Sequence, residues 1–287
     1  MQIMKTQLII NLTSNLLSLG ISTLISLWLV PFMINRLGAD AYGYVPLTQQ
    51  LINYLTVVTI ALNSMIARFF TIAMERGDKD GAEKYFNTSL YSNIMISLLL
   101  LVPLVISTVF LDRLIIIPAR MVSDVQLSFI LFGLVFAIST ISSTFSVATF
   151  YTNKLYLSSV SNAASTIVRA AVILFLFYVI SPMIWQVAFS SLISMIVLFA
   201  LSYWILKRIL PGFRVSFRQF DRKKFTDITF SGMWMSLNWS GAILFLYVDL
   251  LVANWILGPT VSGEYAAILQ WSNMLRVFCG RDRKSVV

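Results

Sequence analysis

A chain of 287 residues that is 58% hydrophobic and only 11% charged, with a mean hydropathy of +0.83, does not have the composition of a soluble domain. Its net charge of +9 comes without an RNA- or DNA-binding motif, and one cysteine with no histidine excludes a disulfide framework, zinc sites and histidine acid–base chemistry. The solvent is lipid, and the open-ended element that crosses lipid is the helix, because it satisfies its own backbone.

In chain order, the first apolar run follows Lys5 and extends from about Ile9 to Ile34. It lacks a small-residue cleavage site and is kept as a membrane span rather than a leader. A second span, about Tyr44 to Ala67, follows a turn flanked by Pro31 and Pro46, and the polar segment Glu75 to Lys84 is a short solvated loop. The third span, about Tyr85 to Leu111, contains Pro103, which kinks it. A loop with Asp112, Arg113, Pro118, Arg120 and Asp124 leads to a fourth span ending near Tyr151. Asn153-Lys154 turns into a fifth, about Leu155 to Ile180, and Ser181-Pro182 into a sixth, about Met183 to Leu206. The longest polar segment, Lys207 to Phe225, precedes span seven, about Ile228 to Ile256, and span eight starts at Glu264.

One stretch occurs twice. L-G-A-D-A-Y-G-Y-V-P-L-T-Q-Q-L-I-N-Y-L, Leu37 to Leu55, aligns without a gap to L-G-P-T-V-S-G-E-Y-A-A-I-L-Q-W-S-N-M-L, Leu257 to Leu275, at an offset of 220 with six identities. In both copies an apolar run ends at Leu-Gly, a turn holding Gly38 and Gly43, or Gly258 and Gly263, reverses the chain, and a new run begins carrying Gln50 and Asn53, or Gln270 and Asn273. Spaced three apart, each amide pair shares a helix face and reads as interhelical hydrogen-bond glue.

Loop charge sets orientation. Alternate loops carry thirteen basic residues, among them Arg68, Lys84, Lys154 and the run from Lys207 to Lys224, and the others carry three: Arg36, Arg113 and Arg120. The rich set and the N-terminus are expected in the cytoplasm, where anionic lipid headgroups are the expected partner. Six spans separate the two copies, so they share one orientation, a parallel repeat about an axis along the membrane normal. The expected fold is an all-α polytopic helix bundle with a six-span lobe over 1–207, a basic linker over 208–227 and the start of a second lobe over 228–280. A second half repeating the first needs at least four further spans, and span eight stops short near Cys279. A fragment is therefore expected, with 281–287 as a truncated or non-native tail.

Two similar halves, each opening with a Leu-Gly hairpin and joined by a basic loop, resemble the bacterial polysaccharide flippases, including O-antigen flippases, of the multidrug/oligosaccharidyl-lipid/polysaccharide exporter superfamily. The residues that carry the likeness are M-I-N-R-L-G-A-D-A-Y-G in the first hairpin and Y-V-D-L-L-V-A-N-W-I-L-G-P-T-V-S-G-E-Y around the second. Members have twelve to fourteen spans, of which this chain holds about eight. The resemblance implies a transporter in the bacterial cytoplasmic membrane, not an enzyme and without cofactor. It implies flipping of an undecaprenyl-pyrophosphate-linked oligosaccharide by alternating access, with polysaccharide assembly proteins as further partners.

The residues themselves agree in part. Arg169 lies roughly 20 Å from the inner end of span five and Arg276 roughly 18 Å below the opposite turn, by helix rise, where a charge costs about 3 kcal/mol or more. Guanidinium forks suit a pyrophosphate or acidic sugar, and a buried ion pair or helix-end carbonyls would serve equally. Arg68 is close enough to the surface to snorkel. Asp249, about 13 Å below the turn by helix rise, is the one carboxylate well inside a span. A salt bridge with Arg276 is expected; the resemblance adds cation coupling. Short loops without paired carboxylates, a nucleophile–base pair or a phosphate-cradling Gly-Lys motif argue against a polytopic glycosyltransferase or polymerase. A multidrug/cation antiporter on the same fold would favour an acidic, aromatic cavity instead.

Overall fold

The structure, a computed structural model, describes residues 2–216 and 219–281; the side chains at 2–5, 246–247, 259–260, 270–271 and 273–281 are outside the described set, and with them those of Gln270, Asn273 and Arg276. The tail expected at 281–287 lies outside it too, apart from the backbone of Arg281. All regular structure among the described residues is helical. In order these helices are α1 (Gln2–Leu37), α2 (Ala39–Glu75), α3 (Lys79–Thr108), α4 (Leu111–Leu114), α5 (Val122–Phe145), α6 (Val147–Tyr151), α7 (Leu155–Val179), α8 (Ile184–Ile209) and α9 (Arg222–Arg281), with a short 3-10 turn at Ala119–Met121. Seven are long and apolar enough to cross a membrane, α5 and α6 counting as one span, and they coincide with the first seven predicted spans.

Local chemistry sets the ends. Gly77, at φ 77°, closes α2 with paired bonds, Gly77 N–H to Met74 O and Asp78 N–H to Ala73 O at 3.0 Å each, and the Asp78 carboxylate then accepts the Gly81 N–H at 2.8 Å to start α3. Asn153 does the same after α6 from φ 53°, a conformation Asn tolerates better than most residues. Asp124, expected in a loop, caps from a distance: its two carboxylate oxygens accept the N–H groups of Ile184 and Trp185 at 2.8 Å each, at the start of α8.

The repeat is visible in the backbone. Gly38 (φ 85°, ψ 155°) breaks α1 from α2, and Gly258 (φ 83°, ψ 179°) breaks α9 at the equivalent residue. These positive-φ conformations cost a side chain dearly and glycine little. Gly43 and Gly263, expected to belong to the turns, lie inside helices instead, five residues further on. Their role is contact. A Cβ on Gly43 would sit 2.5 Å from the Gly263 Cα, and one on Gly263 would strike the Ala39 carbonyl, so the two copies meet backbone to backbone at the same end of the bundle.

From there α2 and α9 pack side by side, the most extensive helix pair among the described residues. The Ser236 hydroxyl donates to the Val57 carbonyl at 3.1 Å, and near the far end Gly232 rests on the Ala61 carbonyl so closely that a Cβ has no room. The outer shell is apolar: Leu24, Leu98, Leu99, Phe175, Phe230 and Phe245 are exposed. Much of the interior is polar, with Thr48, Asn87, Asn93, Ser128, Gln186 and Asn254 fully buried. Lipid removes the hydrophobic force between helices, leaving close packing and hydrogen bonds to hold them. Asn93, for instance, donates to Asn63 at 2.8 Å and Thr144 at 2.9 Å, joining α3 to α2 and α5.

The basic segment is less of a tether than its composition suggests. α8 runs on to Ile209 and α9 begins at Arg222, and between them the chain turns at Gly212, φ 85°. That stretch is clamped to α3, where Asn87 donates to the Arg214 carbonyl at 2.9 Å and accepts the Ser216 N–H at 3.0 Å, and Thr88 accepts the Asp221 N–H at 3.1 Å.

A methyl group tests the seam. Gly263→Ala is expected to destabilise the protein by about 1–3 kcal/mol through overpacking, read as a lower thermal midpoint in detergent. Gly20→Ala, at a position where a Cβ meets nothing within 4 Å, should leave the midpoint unchanged or raise it.

Candidate functional site

α1 and α2 diverge from Gly38 like two arms, and a cavity of about 240 Å³ lies between them, bounded on one side by α7. Ser26 and Met33 face it from α1; Tyr42, Gln49, Gln50 and Asn53 from α2; and Arg169 from α7. By helix rise Gln50 and Asn53 sit roughly 17–21 Å from the Gly38 turn. Arg169 is roughly 21 Å from the start of α7 at the opposite end. All three meet at mid-depth.

The polar atoms here are unspent. The Arg169 Nε–H and the Gln50 Oε1 are buried without a hydrogen-bond partner, and no carboxylate faces Arg169 among the described residues. The ion pair that was one alternative for Arg169 is thus not formed within the described set. Gln50 and Asn53 were expected to glue helices together; their amides line the cavity and make no described side-chain hydrogen bond. A second cavity, about 310 Å³ between α5, α7 and α8, offers the contrast. It is lined with hydroxyls, but Ser143 and Ser146 donate to carbonyls of their own helix at 2.7 Å each, and Thr149 pairs with Ser158 at 2.8 Å. Part of its polarity is thus spent within the protein.

The remaining predicted residues are dispersed. Arg68 is exposed near the far end of α2 and does not reach the cavity. Asp249 is half-buried on α9, where its carboxylate accepts the Tyr265 hydroxyl at 2.7 Å and the Leu250 N–H at 2.9 Å. Arg276, its expected partner, has no described side chain.

A set of contacts that the sequence reading missed closes the Gly38 end. After α4 the chain runs extended through Ile115, and its backbone groups are taken up by distant residues. Asn254 accepts the Ile116 N–H at 3.0 Å, Trp255 Nε1 donates to the Leu114 carbonyl at 2.6 Å, and Tyr44 donates to the Ile116 carbonyl at 2.6 Å. Asn254 is completely buried, and an amide inside an otherwise apolar run was the available signal.

The sequence matches the polysaccharide biosynthesis protein family over residues 8–280. The chain belongs to that family. Within reach of it, the chain is 37% identical over 271 residues to the "Uncharacterized membrane protein EpsK" of Bacillus subtilis (strain 168), covering 94% of this chain and 54% of that one. The chain therefore spans about half the length of this relative. Among solved structures, an inward-facing multidrug resistance MATE family transporter of the MOP superfamily superposes with a TM-score of 0.70 at 14% identity, over 94% of this chain and 62% of that one. A MATE structure in complex with Br-NRF gives 0.58 at 17% identity, over 92% and 66%. At such identities the likeness speaks for the fold alone, which is that of a polytopic helical membrane protein.

For this member of the family the Asn254 bond has a measurable worth. Asn254→Ala removes the acceptor of the Ile116 N–H, a part-buried bond, and a loss of about 1 kcal/mol is expected, seen as a lower unfolding midpoint of the purified protein. Asn162→Ala, exposed and without a described side-chain bond, should change little.

Proposed function

We propose that the protein carries a lipid-linked oligosaccharide, borne on undecaprenyl pyrophosphate, across the bacterial cytoplasmic membrane by alternating access, with the basic end and the N-terminus inside. The observation that carries this reading is Arg169, a guanidinium with no carboxylate partner among the described residues, lining a cavity at mid-depth. A lone cation there costs about 3 kcal/mol or more, and an anionic ligand offsets that cost through charge-assisted bonds to the guanidinium fork. Membership of a polysaccharide biosynthesis family supports the chemistry of the cargo. The multidrug names of the structural neighbours belong to those proteins, and a cavity whose one formal charge is positive repels a cationic drug.

In this reading the Gly43–Gly263 contact and the Asn254–Ile116 bond part to open one side, and the Gly232–Ala61 contact parts to open the other. Asp249 is the proposed partner of Arg276, or a coupling carboxylate that binds and releases a cation beside the Tyr265 hydroxyl. Anionic headgroups are the proposed partners of the basic loops.

Two experiments test the proposal. Reporters fused at Phe220 and at Ser262 should behave as cytoplasmic and external respectively, and the reverse pattern contradicts the orientation. In the intact gene product, Arg169→Ala should abolish export of lipid-linked glycan at normal membrane abundance, with Arg169→Lys intermediate. Wild-type export by the alanine variant would remove Arg169 from the mechanism, and a loss that merely tracks protein abundance would make it structural.

A further inference from the structure

The cavity between α5, α7 and α8 has a polar lining of serine and threonine with one asparagine, Asn162, and no charged side chain borders it. Four of its hydroxyls have committed their proton to a carbonyl of their own helix: Ser139 to Phe136 at 2.8 Å, Ser143 to Thr140 at 2.7 Å, Ser146 to Ser143 at 2.7 Å and Ser161 to Leu157 at 2.9 Å. A hydroxyl that donates keeps its two lone pairs, so each of these oxygens still accepts. Ser142 and Ser202 differ. Ser142 is 5% exposed, and neither its hydroxyl nor that of Ser202 has a hydrogen-bond partner among the described residues. The lining therefore offers many acceptors and a few free donors, all uncharged, beside the ring of Phe145.

That pattern selects an occupant. An acyl chain leaves the hydroxyls unmet, which is costly below the headgroups. A phosphate asks for a cation and for donors that are mostly spent, and a cationic ligand finds no carboxylate. A neutral sugar ring matches: its hydroxyls donate to the committed oxygens, its oxygens accept from the free hydroxyls, and its C–H face suits an aromatic neighbour. Size agrees, since about 310 Å³ lies at the lower end of the roughly 300–1,000 Å³ of small-molecule pockets.

We infer that this cavity binds one uncharged sugar residue, with Ser142 and Ser202 donating to its oxygens. By helix rise its α7 residues, Ser158, Ser161 and Asn162, lie roughly 10–17 Å nearer the start of α7 than Arg169. The site is thus distinct from the mid-depth cavity and closer to the end of the bundle that carries Lys154 and Lys207. That the sugar belongs to a carried glycan rests on the function proposed above; sugar binding itself does not.

The test uses the purified intact gene product in lipid nanodiscs and the methyl glycosides of glucose, galactose and N-acetylglucosamine, with binding followed by saturation-transfer NMR. At least one glycoside is expected to bind, and Ser142→Ala and Ser202→Ala are each expected to weaken it about fivefold, the worth of one neutral hydrogen bond. An unchanged thermal midpoint certifies that these variants are folded. Arg169→Gln, at a separate site, should leave the affinity within about twofold. Binding of none of the three glycosides, binding that both serine variants leave unchanged, or binding lost with Arg169→Gln overturns the assignment. In cells, glycan export by a protein that binds no glycoside leaves the proposed function standing and this inference overturned, and glycoside binding without export does the converse.

Discussion

Hydrocarbon supplies no hydrogen bonds, so every polar group this chain carries below the headgroups must be met by protein or by something the protein encloses. Most of the structure follows from that demand. Serines and threonines along the helices donate back to their own carbonyls, as Ser143 and Ser190 do at 2.7 Å, and buried amides tie helices together, as Asn93 does. The extended stretch after α4, which has no helix of its own to satisfy it, borrows Asn254, Trp255 and Tyr44. Some buried groups stay unpaired, among them the Ser97 and Thr229 hydroxyls and, on two residues that line the cavity, the Arg169 Nε and the Gln50 Oε1.

The same demand explains the glycines. When apolar contact confers no advantage over lipid, helices gain by approaching until their backbones touch, which requires the smallest residues at the crossing points. Gly43 and Gly263 occupy equivalent places in the two copies and touch each other, as positions beside a two-fold axis do. Such a contact is close but narrow. It buries little side-chain surface, which suits a seam that must both seal and separate.

Long-range periodicity and repetition were legible in the sequence; short-range geometry was not. Seven spans could be placed because a twenty-residue apolar run has few other uses, and the offset of 220 between copies reappears in the paired positive-φ residues Gly38 and Gly258. Gly43 and Gly263 were misplaced because a glycine near a turn suggests a turn, whereas their partner is a glycine 220 positions away in sequence and invisible to local reading. Arg169 was singled out by depth alone. That Gln50 and Asn53 join it, rather than bridging helices, depends on how α1 and α2 splay below Gly38, which residue spacing does not encode. The linker was legible as a basic segment from its charges, and its docking on Asn87 and Thr88 was not.

The bond between Ile116 and Asn254 spans 138 positions of sequence. At synthesis rates of roughly 5–20 residues per second, the backbone around Leu114 and Ile116 waits roughly 7 to 30 seconds on the membrane before the amide and indole that complete it have been made. The first six spans therefore enter the bilayer with an unfinished rim, and water or an insertion factor must occupy those groups in the interval. Assembly of the first lobe is thus tied in time to the arrival of span seven.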